Sequence, residues 1–217
     1  SDIHGCYQTF RYLLEHEWGL GYEDELYILG DYIDRGPASR QVIDYILSLR
    51  HKGYTVYTLI GNHEDMMLEG KKDELQFRNW LINGGNTTLA SFGVNHPDEF
   101  HEDYQQFFSE LDYYYELDTA FLVHAGFDFN EPDPFNAYKA MLWIRDFQVD
   151  DDRLQDKFLI HGHTPIRPDI IQQTVASKTI NINIDGGCVY NYIHGLGYLC
   201  GLDLDSLELV FVENCEN

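Results

Sequence analysis

The sequence predicts a mixed α/β (α+β) fold, and three observations carry that prediction. Short apolar runs stop at a glycine and give way to a polar turn and then to helical spacing, as Leu26-Tyr27-Ile28-Leu29 does before Gly30 and the segment Ser39 to Leu49. Polar clusters bounded by glycine recur five times along the chain, at the ends of such runs. The last quarter is rich in β-branched and aromatic runs with no long helix between them, which predicts antiparallel hairpins.

The elements follow in order. Ser1-Asp2-Ile3-His4-Gly5 opens the chain, and on an extended segment Asp-x-His places both side chains on one side. That spacing suits two ligands on one ion. A helix is expected over roughly Gln8 to Glu17. Leu26 to Leu29 reads as a buried strand that feeds Gly30-Asp31-Tyr32-Ile33-Asp34-Arg35-Gly36, with Gly36-Pro37 breaking the chain. Beyond the carboxyl end of a parallel strand this turn would aim Asp31, Asp34 and Arg35 into one crevice. Charge packed so tightly suits a metal ion and a phosphate.

Tyr54 to Ile60 alternates and reads as a second strand, ending in Gly61-Asn62-His63-Glu64-Asp65. Residues 66 to 118 differ. Leu75 to Ile82 and Phe100 to Leu111 have helical spacing around the turn Asn83-Gly84-Gly85-Asn86-Thr87, so the segment reads as a helical insertion roofing the site. Its aromatics, Phe77 and Trp80 among them, are expected in the core. Ala120 to Val123 is a short strand ending in His124-Ala125-Gly126. A loop with Pro132 and Pro134 leads to a helical stretch holding Leu142-Trp143-Ile144-Arg145-Asp146. The acidic run between Gln148 and Arg153 reads as a solvated loop. Phe158-Leu159-Ile160 is a further strand, ending in His161-Gly162-His163-Thr164-Pro165. Thr179 to Ile184, Gly195 to Leu202 and Leu207 to Val212 complete the β-rich end.

Composition sets the bounds. A chain of 217 residues with 44% hydrophobic and 15% aromatic residues suits one domain with a full core. Lys+Arg 14 against Asp+Glu 37 gives a net charge of -23, which argues against nucleic acid or an anionic membrane as partner. An anionic substrate must then be held by local cations. Cys6, Cys188, Cys200 and Cys215 show no CxxC spacing, which favours free thiols in a reduced, cytoplasmic protein. No apolar run approaches a membrane span. A monomer is expected.

The polar strand ends hold Asp2 and His4, Asp31, Asn62 and His63, His124, and His163. These are oxygen and imidazole donors with no thiolate, a set suited to manganese, iron or zinc. They are too many for one ion and point to two ions sharing a carboxylate. Asp2-Ile3-His4-Gly5, Gly30 to Gly36, Gly61-Asn62-His63-Glu64, His124-Ala125-Gly126 and His161-Gly162-His163-Thr164 resemble, in order, the signatures of the calcineurin-like metallophosphoesterases. More narrowly they resemble the bacterial and phage branch of the phosphoprotein Ser/Thr phosphatases.

That resemblance implies a β-sandwich flanked by helices, four layers αββα, with metals at the strand tips. It implies a single catalytic domain over residues 1–217 and a strand leading into Asp2, so residues upstream of Ser1 are expected. One ion would be held by Asp2, His4 and Asp31, the other by Asp31, Asn62, His124 and His163, with His161 outside the ligand set. Both are expected to be divalent, Mn2+ before Fe or Zn. Two ions about 3.5–4 Å apart can hold a hydroxide that attacks phosphorus in line. His63 would protonate the leaving oxygen, with Asp34 fixing its tautomer and keeping it cationic. Arg35 and Arg145 would clamp the phosphate bidentately. The Arg145 assignment rests on Trp143-Ile144-Arg145 resembling a Trp-x-Arg signature of the branch. Asn62 and Tyr190 would also contact the substrate.

The function implied first is a protein Ser/Thr phosphatase acting on a phosphoprotein or a small phosphorylated substrate. The alternative is a symmetrical diadenosine tetraphosphate hydrolase, which resembles this chain around Gly36-Pro37 and Asp185-Gly186-Gly187 but usually departs from the Asp-x-His and Asp-Arg motifs. A catalytically silent metal-binding scaffold is the reading from another class, and the intact His63, Asp34 and Arg35 speak against it.

Overall fold

The computed structural model describes residues 1–216 and has a mixed α/β architecture. Helix α1, Tyr7–Tyr12, runs on as a wider π-helical stretch, Leu13–Trp18. Strands β1 (Glu25–Ile28) and β2 (Thr55–Thr58) pair in parallel around α2 (Ser39–His51). The helical segment comprises α3 (Asn62–Gly70), α4 (Glu74–Trp80), α5 (Asn86–Phe92) and α6 (Glu102–Ser109). A four-stranded sheet follows, in the order β3 (Tyr114–Glu116), β4 (Ala120–Val123), β5 (Phe158–His161), β6 (Asn181–Asn183). Helices α7 (Tyr138–Trp143), α8 (Asp151–Leu154) and α9 (Pro168–Ala176) connect its parts, and β7 (Tyr198–Leu202) and β8 (Leu209–Glu213) form the last hairpin.

Three apolar clusters separate four layers. Leu26, Ile28, Leu199 and Val212 face Phe10, Val42 and Ile46 of the first helices. The opposite faces of those strands, with Leu29, Cys200 and Phe211, pack on Ala120, Leu122, Ile160 and Ile182. Phe121, Val123 and Leu159 point the other way, onto Phe127 and Met141 of the loop before α7 and of α7 itself. Strand β4 is therefore apolar on both faces, and its four residues are all buried. This is the αββα sandwich that the motifs imply. Residues of β1 and β7 line a groove of about 940 Å³, which mixes apolar side chains with carboxylates such as Asp24 and Asp203, and Ser1, which also lines it, has its amino group 3.4 Å from the Cys200 carbonyl.

Four expectations are corrected. The run at Thr179 to Ile184 gives β6, which pairs in parallel with β5 rather than forming a hairpin. Helix α9, with Pro168 in its first turn, supplies the crossover that parallel pairing needs. The acidic run is not all loop: Asp150 caps α8 by accepting the Arg153 backbone N–H. Ile144 is extended (ψ 139°), so α7 ends before Arg145. The turn around Gly84 leads directly into α5, a helix that Gly84, Gly85 and the Asn-Thr-Thr start conceal.

Candidate active site

The polar strand ends converge where the parallel pair β1 and β2 and the parallel pair β4 and β5 end, and the Leu29 carbonyl after β1 meets His124 after β4. Glu64 holds two of them together. It is fully buried, and its Oε2 accepts the backbone N–H groups of Asp31 and Gly61 at 2.9 Å. Its Oε1 accepts those of Tyr32 at 2.9 Å and Ile33 at 3.3 Å. The end of β1 and the start of α3 are thus tied through one carboxylate. The sequence motif contains Glu64 but gives no hint of this role.

Asp31 stands at the centre. Its Oδ2 lies 3.4 Å from His4 Nε2 and 3.6 Å from His124 Nε2, and its Oδ1 accepts the His63 backbone N–H at 3.0 Å. Two groups of possible ligands meet there: His4, Asp31 and His63, and Asp31, His124 and His163. Asn62 joins the second group through its Oδ1, 3.0 Å from His124 Nε2 and 2.9 Å from His163 Nδ1. Asp2 stands outside the tight group around His4, and its carboxylate accepts the His163 backbone N–H. His4 is not extended as the Asp-x-His spacing suggests; its φ is 47°. His161 stands apart, with Nδ1 toward the Gly162 carbonyl.

These residues fit divalent metal ions. The His4 and His124 Nδ1 atoms each lie 2.9 Å from a backbone carbonyl, of Ile33 and Leu29, which can only accept. Each Nδ1 therefore carries the proton, and each Nε2 turns a lone pair inward, the arrangement typical of a metal-ligating histidine. The His124 lone pair then faces the Asn62 carbonyl oxygen, two acceptors aimed at one point. The His163 Nε2 is buried with no hydrogen-bond partner. The Arg35 guanidinium, a cation, rests on His4 Nε2 at 2.5 Å.

Burial dominates the titration of the site. It pushes Asp2 up to about 6, with Asp31 repulsion adding, and Asp31 up to about 7. It holds His4 and His63 well below the usual imidazole range, and His163 falls to about 2. Asp34 is raised to about 7 by burial, against the hydrogen bonds of Thr88 and Trp80. His63 Nδ1 lies 2.7 Å from Asp34 Oδ2, which fixes its tautomer. The expectation that Asp34 keeps His63 cationic meets two opposing effects, burial first and the Arg35 charge second.

Asp34 has two further partners that the sequence does not reveal. Trp80 Nε1 donates to its Oδ2 at 2.8 Å, and Thr88 Oγ1 donates to its Oδ1 at 2.7 Å. Trp80 is buried, as a core aromatic should be, but its indole N–H serves the dyad. Arg35 stands over the Tyr190 ring, 5.3 Å from its centroid. Arg145 is exposed and donates to Thr164 Oγ1, beside His163, close enough to help depress the His163 and His124 pKa values.

The sequence profile of the calcineurin-like phosphoesterases matches residues 1–195. The symmetrical bis(5'-nucleosyl)-tetraphosphatase of Buchnera aphidicola subsp. Schizaphis graminum is 37% identical over 99 residues, which is 37% of this chain and 35% of that protein. The chain thus spans about a third of that relative. The asymmetrical bis(5'-nucleosyl)-tetraphosphatase PrpE of Halalkalibacterium halodurans is 27% identical across 98% of this chain and 91% of its own length. Among solved structures, a provisionally assigned diadenosine tetraphosphatase superimposes with a TM-score of 0.69 at 18% identity, over 100% of this chain and 92% of that one. A metallophosphoesterase from Sphaerobacter thermophilus gives 0.54 at 15% identity, over 98% and 85%. At those identities the structures speak for the fold.

Proposed function

The chain belongs to the calcineurin-like phosphoesterase family, and from that premise we propose that it hydrolyses bis(5'-nucleosyl) tetraphosphates. The observation that carries the hydrolase reading is Asp31, one carboxylate shared between two nitrogen and oxygen donor groups, with the His63–Asp34 pair against it. The relatives favour the dinucleotide over the phosphoprotein that the motifs put first: those matched over a segment and those matched over the full length are both tetraphosphatases. A silent scaffold has no need of a dyad held by Trp80 and Thr88.

Asp2, His4, Asp31, Asn62, His124 and His163 would hold two divalent ions; the donor set suits manganese, iron or zinc. Such ions supply Lewis acidity toward phosphoryl oxygens and a nucleophile at neutral pH. The chain's own residues do the rest. Arg35 and Arg145 orient the phosphate by forked hydrogen bonds. His63, its Nδ1–H held by Asp34, carries a proton on Nε2 and delivers it to the leaving oxygen. An anionic phosphate on Arg35 offsets the charge that depresses His63, so substrate binding favours the protonated acid.

The test is turnover of diadenosine tetraphosphate and of a phosphothreonine peptide side by side, with Mn2+, with and without chelator. Chelator-sensitive turnover of the dinucleotide, lost on the order of 100-fold or more in His63→Ala, supports the proposal. Two ADP as products mark symmetrical cleavage, ATP with AMP the asymmetrical kind. Faster turnover of the peptide would return the function to a protein phosphatase.

A further inference from the structure

A second concavity, of about 410 Å³, lies between α3, α4 and α7. That volume lies in the range of small-molecule sites. Its walls combine aromatic faces with a few polar groups. Tyr113 and Tyr138 pack with ring centroids 4.5 Å apart, and Trp143 closes one side. Tyr138 and Trp143 are 48% and 38% exposed, high values for aromatics in a chain that buries most of its large apolar side chains. Asp65, Glu69, Gln76 and Asn79 also line it.

The position links this pocket to the phosphate chemistry. Trp143 has its ring centroid 6.4 Å from that of His163, edge to face. Asp65 sits three residues after Asn62 on α3, one turn along the helix, and accepts from Trp143 Nε1 at 3.4 Å. Lys139 also lines the pocket, and Arg145 follows Trp143 by two residues. In a chain of net charge -23, Lys139 is a cation at the pocket, and Arg145 reaches Thr164, next to His163 in the chain.

We propose that this pocket is a nucleobase subsite, which takes one purine base of the dinucleotide while the phosphate chain runs over Trp143 to the metal donors. The inference rests on the tetraphosphatase reading and deepens it. A planar base stacks on Tyr138 or Trp143 because any π-face satisfies another. The acceptors, the Asp65 carboxylate and the side-chain carbonyls of Gln76 and Asn79, match the exocyclic amino group of adenine. A uracil offers less stacking area and no amino group. Lys139 then meets the phosphate nearest the ribose.

The experiment uses AMP as the probe, so that it does not depend on turnover. AMP and UMP binding to the manganese-loaded protein is measured by calorimetry, with quenching of tryptophan fluorescence that is lost in Trp143→Phe as a second readout. AMP should bind more tightly than UMP, and Tyr138→Ala should weaken AMP about tenfold, as loss of one stacking face does. Tyr22→Ala, which removes an exposed tyrosine elsewhere, should leave AMP binding intact. With diadenosine tetraphosphate, the ratio of its kcat/KM to that of inorganic tripolyphosphate should fall by a similar factor in Tyr138→Ala. Equal AMP affinity in wild type and Tyr138→Ala, or equal affinity for AMP and UMP, overturns the subsite. If the wild type binds AMP as described but turns over no dinucleotide, the tetraphosphatase reading fails instead.

Discussion

Glu64→Gln tests the idea that one ionised carboxylate holds the site together. The change conserves shape and volume, so no cavity enters the result. It turns one oxygen into an NH2 group. On the Oε2 side, the amide would confront two N–H donors at 2.9 Å. On the Oε1 side it would confront one at 2.9 Å and one at 3.3 Å. The second orientation costs less, and it still leaves two buried donors without an acceptor. At about 1–3 kcal/mol for each, and less for the long bond, the loss is about 4 kcal/mol. Removing the charge relieves the cost of burying it and the repulsion from Asp31 and Asp34, the effects that, burial first, raise the Glu64 carboxyl well above its ordinary value. The net expectation is a loss of about 3 kcal/mol, or roughly 6–12 °C in Tm for a chain this long. The measurement is urea and thermal unfolding in excess chelator, so that altered metal binding does not contribute. A change under about 1 kcal/mol would mean that Glu64 is protonated in the native state, because a neutral acid and an amide present nearly the same groups. It would sink the argument that four N–H donors keep this carboxylate ionised.

Three other outcomes follow from the same geometry. Trp80→Phe removes a 2.8 Å hydrogen bond that lowers the Asp34 pKa, so the acidic limb of the pH–rate profile should move to higher pH and kcat should fall about tenfold; Thr88→Val should act in the same direction, and an unmoved profile in both would contradict the assigned support. Metal binding needs Asp2 and Asp31 as carboxylates, and burial raises them to about 6 and about 7, so protons compete as pH falls through 7 and then through 6. The site histidines have lowered pKa values and are neutral at pH 7, so Mn2+ affinity measured by calorimetry should drop about a thousandfold from pH 8 to pH 5; a flat profile would rule out those two carboxylates as ligands. Arg35 has a φ of 67°, which Asn tolerates better than Arg, so Arg35→Asn should keep or raise Tm while kcat/KM falls at least tenfold.

How much of this the sequence reveals depends on distance along the chain. The strand ends were legible because an apolar run and its glycine stop are adjacent, and so were Asp31, Asn62, His63, His124 and His163. The partners of Asp34 were not. Trp80 and Thr88 lie 46 and 54 residues away, and nothing local distinguishes an indole that packs from one that also donates. Their elements have unequal signals. Leu75 to Ile82 shows helical spacing, whereas Thr88 stands on α5 behind a glycine pair that reads as a turn. The β6 error has a different cause. Ile171 and Val175 are four apart, buried on one face of α9 after Pro168, a helix signal that was present in the sequence. Once α9 is recognised, a right-handed parallel crossover into β6 is the expected connection.

Backbone strain is the part no residue pattern could announce. Nine described non-glycine residues have positive φ, and five of them are His4, Asp31, Asp34, Arg35 and His163. Gly would adopt these conformations freely, but Gly carries no ligand, no acid and no guanidinium. The function therefore excludes the residue that the backbone prefers. Such positions cost on the order of 1–3 kcal/mol each and persist where the surroundings over-determine them. The surroundings here are identifiable. The Asp31 N–H is held by Glu64, the Asp34 N–H by Thr88 and Ser39, the His163 N–H by Asp2, and the His4 N–H by the Asp31 carbonyl. Four of the five are fixed by a buried partner, and the Arg35 N–H reaches the Gly84 carbonyl at 3.4 Å, so the strain and the convergence of the strand ends have one origin. A local rule broken five times within one crevice is what a preorganised phosphoesterase site should look like.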